Sequence, residues 1–198
     1  MPNVNISDYR PLEHNVDTIF PERWSPRAMN GEPIAEEDLM TLFEAARWAP
    51  SSYNNQSWRF LYAAKDSPEW PLFFSLLGDF NRQWCVNAGV LVVIVSKATF
   101  DHNGKPSRTH SYDTGAAWGY FALQGSMKGL VVHGMQGFDY DRAHEELGVP
   151  EGYQVEAMAA VGHPADLSVI PEPMRKTENP NGRKPLPEIA WSGLFRAS

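Results

Sequence analysis

The chain has 198 residues, 42% of them hydrophobic and 12% aromatic, which suits one domain with a buried core rather than a disordered segment. Seventeen Lys and Arg against 24 Asp and Glu give a formal charge of −7, without the basic block that a nucleic-acid partner selects. The longest strongly apolar run, Val90 to Val95, is far too short to span a bilayer, and the single cysteine, Cys85, excludes an intrachain disulfide and a multi-cysteine metal site.

Residues 1–20 are polar and irregular and read as an arm. Between Ile34 and Trp48 the apolar positions Ile34, Leu39, Leu42, Phe43 and Ala46 recur at helical spacing. Pro33 and the acidic run Glu36-Glu37-Asp38 suit the start of that helix, and Pro50 stops it. Trp58 to Ala64 reads as a strand, Pro68 to Leu77 as a short helix, and Val90 to Ser96 as a strand buried on both faces. A polar loop over 97–108 precedes a long helix from Tyr112 to Lys128, whose small residues Gly115, Ala116, Ala117, Gly119, Ala122 and Gly125 allow another helix to approach. Leu130 to His133 and Gln154 to Val161 are predicted strands, with a helix over Tyr140 to Leu147 between them. Five prolines between Pro171 and Pro187 predict an extended tail rather than a helical one. The alternation of helices and strands, with arms at 1–20 and 171–198, predicts one α+β or α/β domain over 1–198. No charged-then-apolar leader opens the chain, so a cytoplasmic protein without a membrane partner is expected.

Most sharp motifs are missing: no G-x-G-x-x-G, no phosphate loop, no H-E-x-x-H and no G-x-S-x-G elbow. The six histidines lack metal-ligand spacing, so no metal is expected. Two polar clusters stand out. In Arg23-Trp24-Ser25-Pro26-Arg27 two guanidinium forks flank a hydroxyl, a set that can hold a phosphate, although a solvated basic turn would also explain it. The segment from Ala49 to Trp58 carries Ser51, Ser52, Asn54, Asn55 and Gln56 between an apolar helix and an apolar strand. Amides offer a donor and an acceptor together, which suits the edge of a heterocycle. A plain turn explains Pro, Ser and Asn there, but less well Gln56 and Trp58 in a segment heading for the core.

Together the clusters resemble the nitroreductase superfamily of FMN-dependent oxidoreductases, with R23-W-S-P-R27, a helix, then A49-P-S-S-Y-N-N-Q-S-W58. Ser57 stands where that family usually has Pro. The likeness continues to about residue 196 through Asn81-Arg82-Gln83-Trp84, the helix from Tyr112, His133 to Asp139, and Gly182 to Ile189. It implies an α+β fold in which a mostly antiparallel central sheet is flanked by helices and extended arms. It also implies FMN as cofactor, NADH or NADPH as donor, and a homodimer with the flavin site at the subunit interface.

The resemblance further implies roles for individual residues. Arg23, Trp24 and Ser25, with Arg183 or Lys184, would hold the phosphate and ribityl chain. Arg27 and Asn81 would lie at the pyrimidine edge, where a cation favours the reduced, anionic flavin; a purely structural cap is the other reading of Asn81. Pro50, Ser51, Ser52, Asn54 and Gln56 would line the pocket, partly from the second subunit. Met135, Gln136 and Gly137 would pass beside the ring, where glycine lets the main chain come close. Tyr53 and Trp118 are candidates for substrate contact, with core packing as the alternative for Trp118. Cys85, in an apolar stretch, reads as an inert thiol. No side chain is required as acid, base or nucleophile, because the flavin would exchange electrons with donor and acceptor in turn. The expected reaction is ping-pong transfer to a nitroaromatic, quinone or similar acceptor. Specialised flavin chemistry, such as reductive dehalogenation or flavin breakdown, and a non-catalytic flavin-binding protein remain open on sequence alone.

Overall fold

A computed structural model describes residues 5–195. Its centre is a four-stranded antiparallel sheet in the order β1-β2-β4-β3, formed by Trp58–Ala64 (β1), Val90–Lys97 (β2), Val131–Met135 (β3) and Tyr153–Gly162 (β4). Among the described residues seven α-helices accompany it: Ile19–Glu22 (α1), Glu36–Arg47 (α2), Trp70–Leu76 (α3), Asp79–Cys85 (α4), His110–Met127 (α5), Tyr140–Glu146 (α6) and Glu172–Arg175 (α7). The architecture is α+β, as expected.

The two-residue period of β2 divides the core. Leu91, Val93 and Val95 join Phe73 and Leu76 of α3, Trp84 and Cys85 of α4 and Ala143 of α6 on one side of the sheet. Val90, Val92 and Ile94 join Leu39, Leu42 and Ala46 of α2 and Ala117 and Phe121 of α5 on the other. Each face is covered, so β2 is apolar at nearly every position and gains burial on both sides. Pairing runs from Trp58 opposite Ser96 to Ala64 opposite Val90, while the β2–β4 ladder shifts register between Ile94 and Val95.

The predicted strands and main helices lie where the apolar pattern put them, with ends displaced by a residue or two. Three of the α-helices were not foreseen. The helix α4 covers Asn81 to Trp84, whose polar letters hide a fully buried indole. The short α1 lies between the N-terminal arm and Arg23. The tail also departs from the extended chain expected of it: α7 forms there, and Leu186–Glu188 makes a 3-10 turn. Prolines lie within the first two positions of both turns, where a missing N–H costs no helical hydrogen bond.

The small residues of α5 serve two surroundings. A Cβ at Gly125 would collide with Val132 Cγ2 of β3 and stand 3.3 Å from Leu42 Cδ2 of α2, so glycine sets the helix–sheet spacing. Gly115 and Gly119 face open space. Gly125→Ala should therefore lower unfolding free energy by about 1–2 kcal/mol, since overpacking outweighs better helix propensity. Gly115→Ala should raise it by about 0.5–1 kcal/mol through propensity alone. Urea denaturation measures both, and equal effects at the two positions would contradict this packing.

Candidate active site

The segment from Arg23 to Met29 is tied along the end of the sheet. Met29 bridges Pro164, Asn30 N donates to His163 O (3.0 Å), and Ala165 N donates to Ala28 O (3.1 Å). The tail adds a stronger clamp. Glu178, whose side chain is 1% exposed, accepts from Arg27 Nε (2.8 Å), Ala28 N (3.2 Å) and Arg27 N. Arg27 Nη2 also donates to Thr177 Oγ1 at 3.2 Å. The Arg27 charge is thus answered within the chain, and its guanidinium lies 6.0 Å from the Phe80 ring centre.

Arg23 is treated differently. Its Nη1 donates to Ser25 Oγ (3.2 Å), and the two residues line a cavity of about 670 Å³ with Phe20, Trp118, Gly134, Met135 and Gln136. Among the described residues no carboxylate pairs with Arg23, Arg183 or Arg10. Burial, then the neighbouring Arg183, holds Arg23 below the ordinary arginine range. A concentration of guanidinium groups beside a hydroxyl, without counter-charge, is an arrangement for an anion. Trp24, expected beside it, is instead buried in the protein and lines none of the cavities described here.

An adjoining cavity of about 390 Å³ is lined by Phe80, Asn81, His133, Gly134, Met135, Gln136 and Gly137 among others. Loop 136–138 is fastened to α4: Gly137 O accepts from Gly78 N (2.9 Å) and Asn81 Nδ2 (3.0 Å). Asn81 also accepts from Trp84 Nε1 (3.3 Å), so its amide orders the loop from the first turn of α4. A Cβ at Gly137 would stand 2.8 Å from Asn81 Nδ2, and one at Gly134 would stand 2.8 Å from Trp118 Cζ2. Glycine at both positions lets these side chains close onto the main chain. The Gly137 N–H has no acceptor among the described residues.

The second polar cluster lies elsewhere on the chain. Pro50, Tyr53, Asn54 and Gln56 are exposed, and Gln56 does not head into the core as Trp58 does. Tyr53, Asn54 and Gln56 all adopt left-handed φ angles of 50–53°, a strained run for side chains larger than glycine. It is held from beneath. Ser52 N donates to buried Asp113 of α5 (3.0 Å), Gln56 N to Ser51 Oγ (3.0 Å), and buried Asn55 bonds Thr99 O and Asp101 N. Tyr53, Asn54 and Gln56 line a third cavity with Arg59, Asp101 and His102, which shares no residue with the other two. One chain therefore does not bring the two motifs together.

Several residues at the site escaped the sequence reading. Glu178 is one acid in a proline-rich basic tail, and Arg10 is one cation in an irregular arm. His133 was one of six scattered histidines; its Nδ1 donates to Pro26 O (2.9 Å) and its ring lies 4.5 Å from that of Trp84. Cys85 is buried and its thiol is pushed upward by burial, as an inert thiol should be.

An α+β sheet beside a cavity lined by Arg23, Ser25 and Gly134 defines a class of protein suited to an anionic ligand. Comparison with known proteins narrows that class. The Nitroreductase family model matches residues 21–70 and 67–163, and the chain belongs to that family. A solved structure described as an oxidoreductase containing FMN is 46% identical, with 96% of this chain and 97% of that one covered at a TM-score of 0.92. A nitroreductase family protein of Clostridium difficile 630, 22% identical, shares the fold at a TM-score of 0.69 over 92% of this chain and 100% of its own. A Streptomyces coelicolor protein provisionally named NADH dehydrogenase/NAD(P)H nitroreductase is 26% identical over 74% of this chain and 82% of its own. An uncharacterized 15.4 kDa protein of Mycolicibacterium smegmatis is 33% identical over 96 residues, 46% of this chain, and the match spans 65% of that protein.

Burial lowers the pKa of His133 below 6.5, reinforced by Arg27 and opposed by Pro26 O and Glu178. A histidine that binds its proton less well in the folded state than in the unfolded one stabilises the fold above its unfolded pKa. That contribution is lost as pH falls through the window between the two values. Acidification from about pH 7 to about pH 5 should therefore reduce unfolding free energy less in His133→Asn, which keeps a donor for Pro26 O, than in the wild type. Identical pH slopes in urea titrations would contradict a buried, neutral His133.

Proposed function

We propose that the chain is a single nitroreductase-like domain, with arms at 1–20 and 171–198, that acts as an FMN-dependent oxidoreductase. It takes electrons from NADH or NADPH and delivers them to a small acceptor such as a nitroaromatic or a quinone. The observation that carries this reading is Arg23, with no carboxylate partner among the described residues, lining one cavity with Ser25 and Gly134. The relatives add support: one is described as containing FMN, and another carries an NAD(P)H nitroreductase name.

The residues fit the cofactor. Arg23, Ser25 and Arg183, with Lys184 beside it, would hold the phosphate and ribityl chain. Gly134, Met135, Gln136 and Gly137 would lie under the ring, with the free Gly137 N–H as donor. Asn81 positions that loop and would reach the pyrimidine edge. Arg27, paired with Glu178, presents that edge with less net charge than its place in the motif suggests. Trp118 walls the cavity from α5, where an acceptor would stack. When bound, FMN supplies the two-electron exchange, and the protein contributes position, shape and charge. No metal is needed.

The same reading makes the protein a cytoplasmic homodimer whose site is shared. Tyr53, Asn54 and Gln56 line a separate cavity in one chain, which supports a second copy bringing Ser51, Ser52, Tyr53, Asn54 and Gln56 to the first cavity. Apolar groups suited to such an interface are exposed: Tyr53 at 82%, Leu194 at 86% and Phe195 at 83%.

The purified protein should be yellow, release FMN on denaturation, and lose its colour when NADH or NADPH is added without oxygen. One cavity serving donor and acceptor in turn should give parallel double-reciprocal lines with menadione or nitrofurazone. A colourless protein that takes up no FMN would overturn the assignment, and intersecting lines would reject a shared cavity.

A further inference from the structure

Arg10 lies in the N-terminal arm, 9% exposed, yet it pairs with no carboxylate among the described residues. It is spent on main-chain carbonyls from two other parts of the chain. Its Nη1 donates to Pro21 O (2.6 Å) and Arg23 O (2.8 Å), and its Nε donates to Asn181 O (2.9 Å) in the C-terminal tail. One guanidinium thus ties the N-terminal arm, the Arg23 segment and the stretch leading to Arg183. Its Nη2 has no acceptor among the described residues. The other polar ties between the arms are longer: Tyr9 OH to Asn179 Oδ1 at 3.4 Å, and Leu186 N to Glu13 Oε1 at 3.3 Å.

The charges oppose this arrangement. Arg183 and Arg23 each repel Arg10, adding to its burial cost, and Arg183 repels Arg23. Three cations drawn together by main-chain geometry, none ion-paired among the described residues although Glu13 lines the same groove as Arg10 and Arg183, hold their positions best around a dianion. We propose that Arg10 is the positioning residue of this anion site, and that a phosphomonoester dianion bound by Arg23 and Arg183 locks both arms onto the domain through it. The proposal rests on the assignment of FMN to this site and adds to it a coupling. The phosphate orders residues 5–22 and 177–190, and ordered arms in turn raise affinity for the phosphate. Phe20 fits the same role, because it lines both the Arg23 cavity and the groove between the two arms.

The test uses full-length protein, stripped of cofactor and refilled with FMN, with riboflavin, which lacks the phosphate, or with inorganic phosphate alone. Hydrogen exchange reads the arms, and fluorescence quenching reads flavin affinity. FMN should slow exchange in both arms, inorganic phosphate should do so in part, and riboflavin should leave them as in the stripped protein. Arg10→Met should reduce the preference for FMN over riboflavin by at least about tenfold, with riboflavin affinity unchanged and arm protection lost. Arg10→Lys keeps the charge but lacks the fork, so it should retain part of the preference without the protection. Equal protection by FMN and riboflavin in the wild type would overturn the proposal whether or not the variants fold. An unchanged FMN preference in Arg10→Met would also overturn it. Wild-type protein that binds neither flavin would reject the cofactor assignment itself, and this coupling with it.

Discussion

Glu178 is a tail carboxylate, 1% exposed, that receives the guanidinium of Arg27 and the main-chain N–H groups of Arg27 and Ala28. A charge buried that deeply is tolerated only when fully partnered, and breaking such a pair on one side typically costs about 3–5 kcal/mol. The contact fixes two things together. It lays the segment from Arg23 to Met29 across the end of the sheet, and it brings the tail back over that segment. Arg23 and Arg183, 160 positions apart by numbering, come within electrostatic reach of each other.

This clamp sorts the arginines of the site. Arg27 is neutralised by its acid and serves the architecture. Arg23, Arg183 and Arg10 pair with no carboxylate among the described residues, and the side of the cavity where Phe20 adjoins the groove of Arg10 and Arg183 is its cationic end. The other end is built from main chain and small residues: Gly134 against Trp118, and Gly137 against Asn81. A ligand with a charged tail and a flat head matches that gradient. The strained run at Tyr53, Asn54 and Gln56 is the other unusual investment, held by Asp113 and Asn55 from below. Three left-handed residues in four positions are rarely kept for a plain turn.

Much of this was legible in the sequence. The unbroken, β-branched run of Val90 to Val95 specified a strand covered on both faces, and Pro50 with the acidic run at Glu36 bounded α2. The two polar motifs were visible as residue types at fixed spacing. What was not legible depends on contacts between distant positions. Trp84 sits among Asn81, Arg82 and Gln83, so no apolar period marks α4, although its indole is fully buried. Arg10 and Glu178 show no local pattern because their partners lie as many as 171 positions away. The tail turns where prolines seemed to forbid helix, since a proline in the first turn leaves the hydrogen bonds intact. Gln56 faces outward because its φ is left-handed, a backbone choice that composition does not announce.

Whether two copies of the chain build each cofactor site is the decisive question, because the Arg23 cavity and the Pro50–Gln56 motif are separate surfaces of one chain. Subunit mixing tests this directly. Arg23→Glu removes the anion side, and Asn54→Trp blocks the exposed motif without touching the core, so each variant alone should bind no flavin. Co-refolded together, half of the dimers would be mixed and each would carry one intact site, restoring about a quarter of wild-type flavin content. A mixture that stays as empty as its parents would show that each site belongs to a single chain, and an Asn54→Trp protein that fills its sites alone would remove the exposed motif from the site.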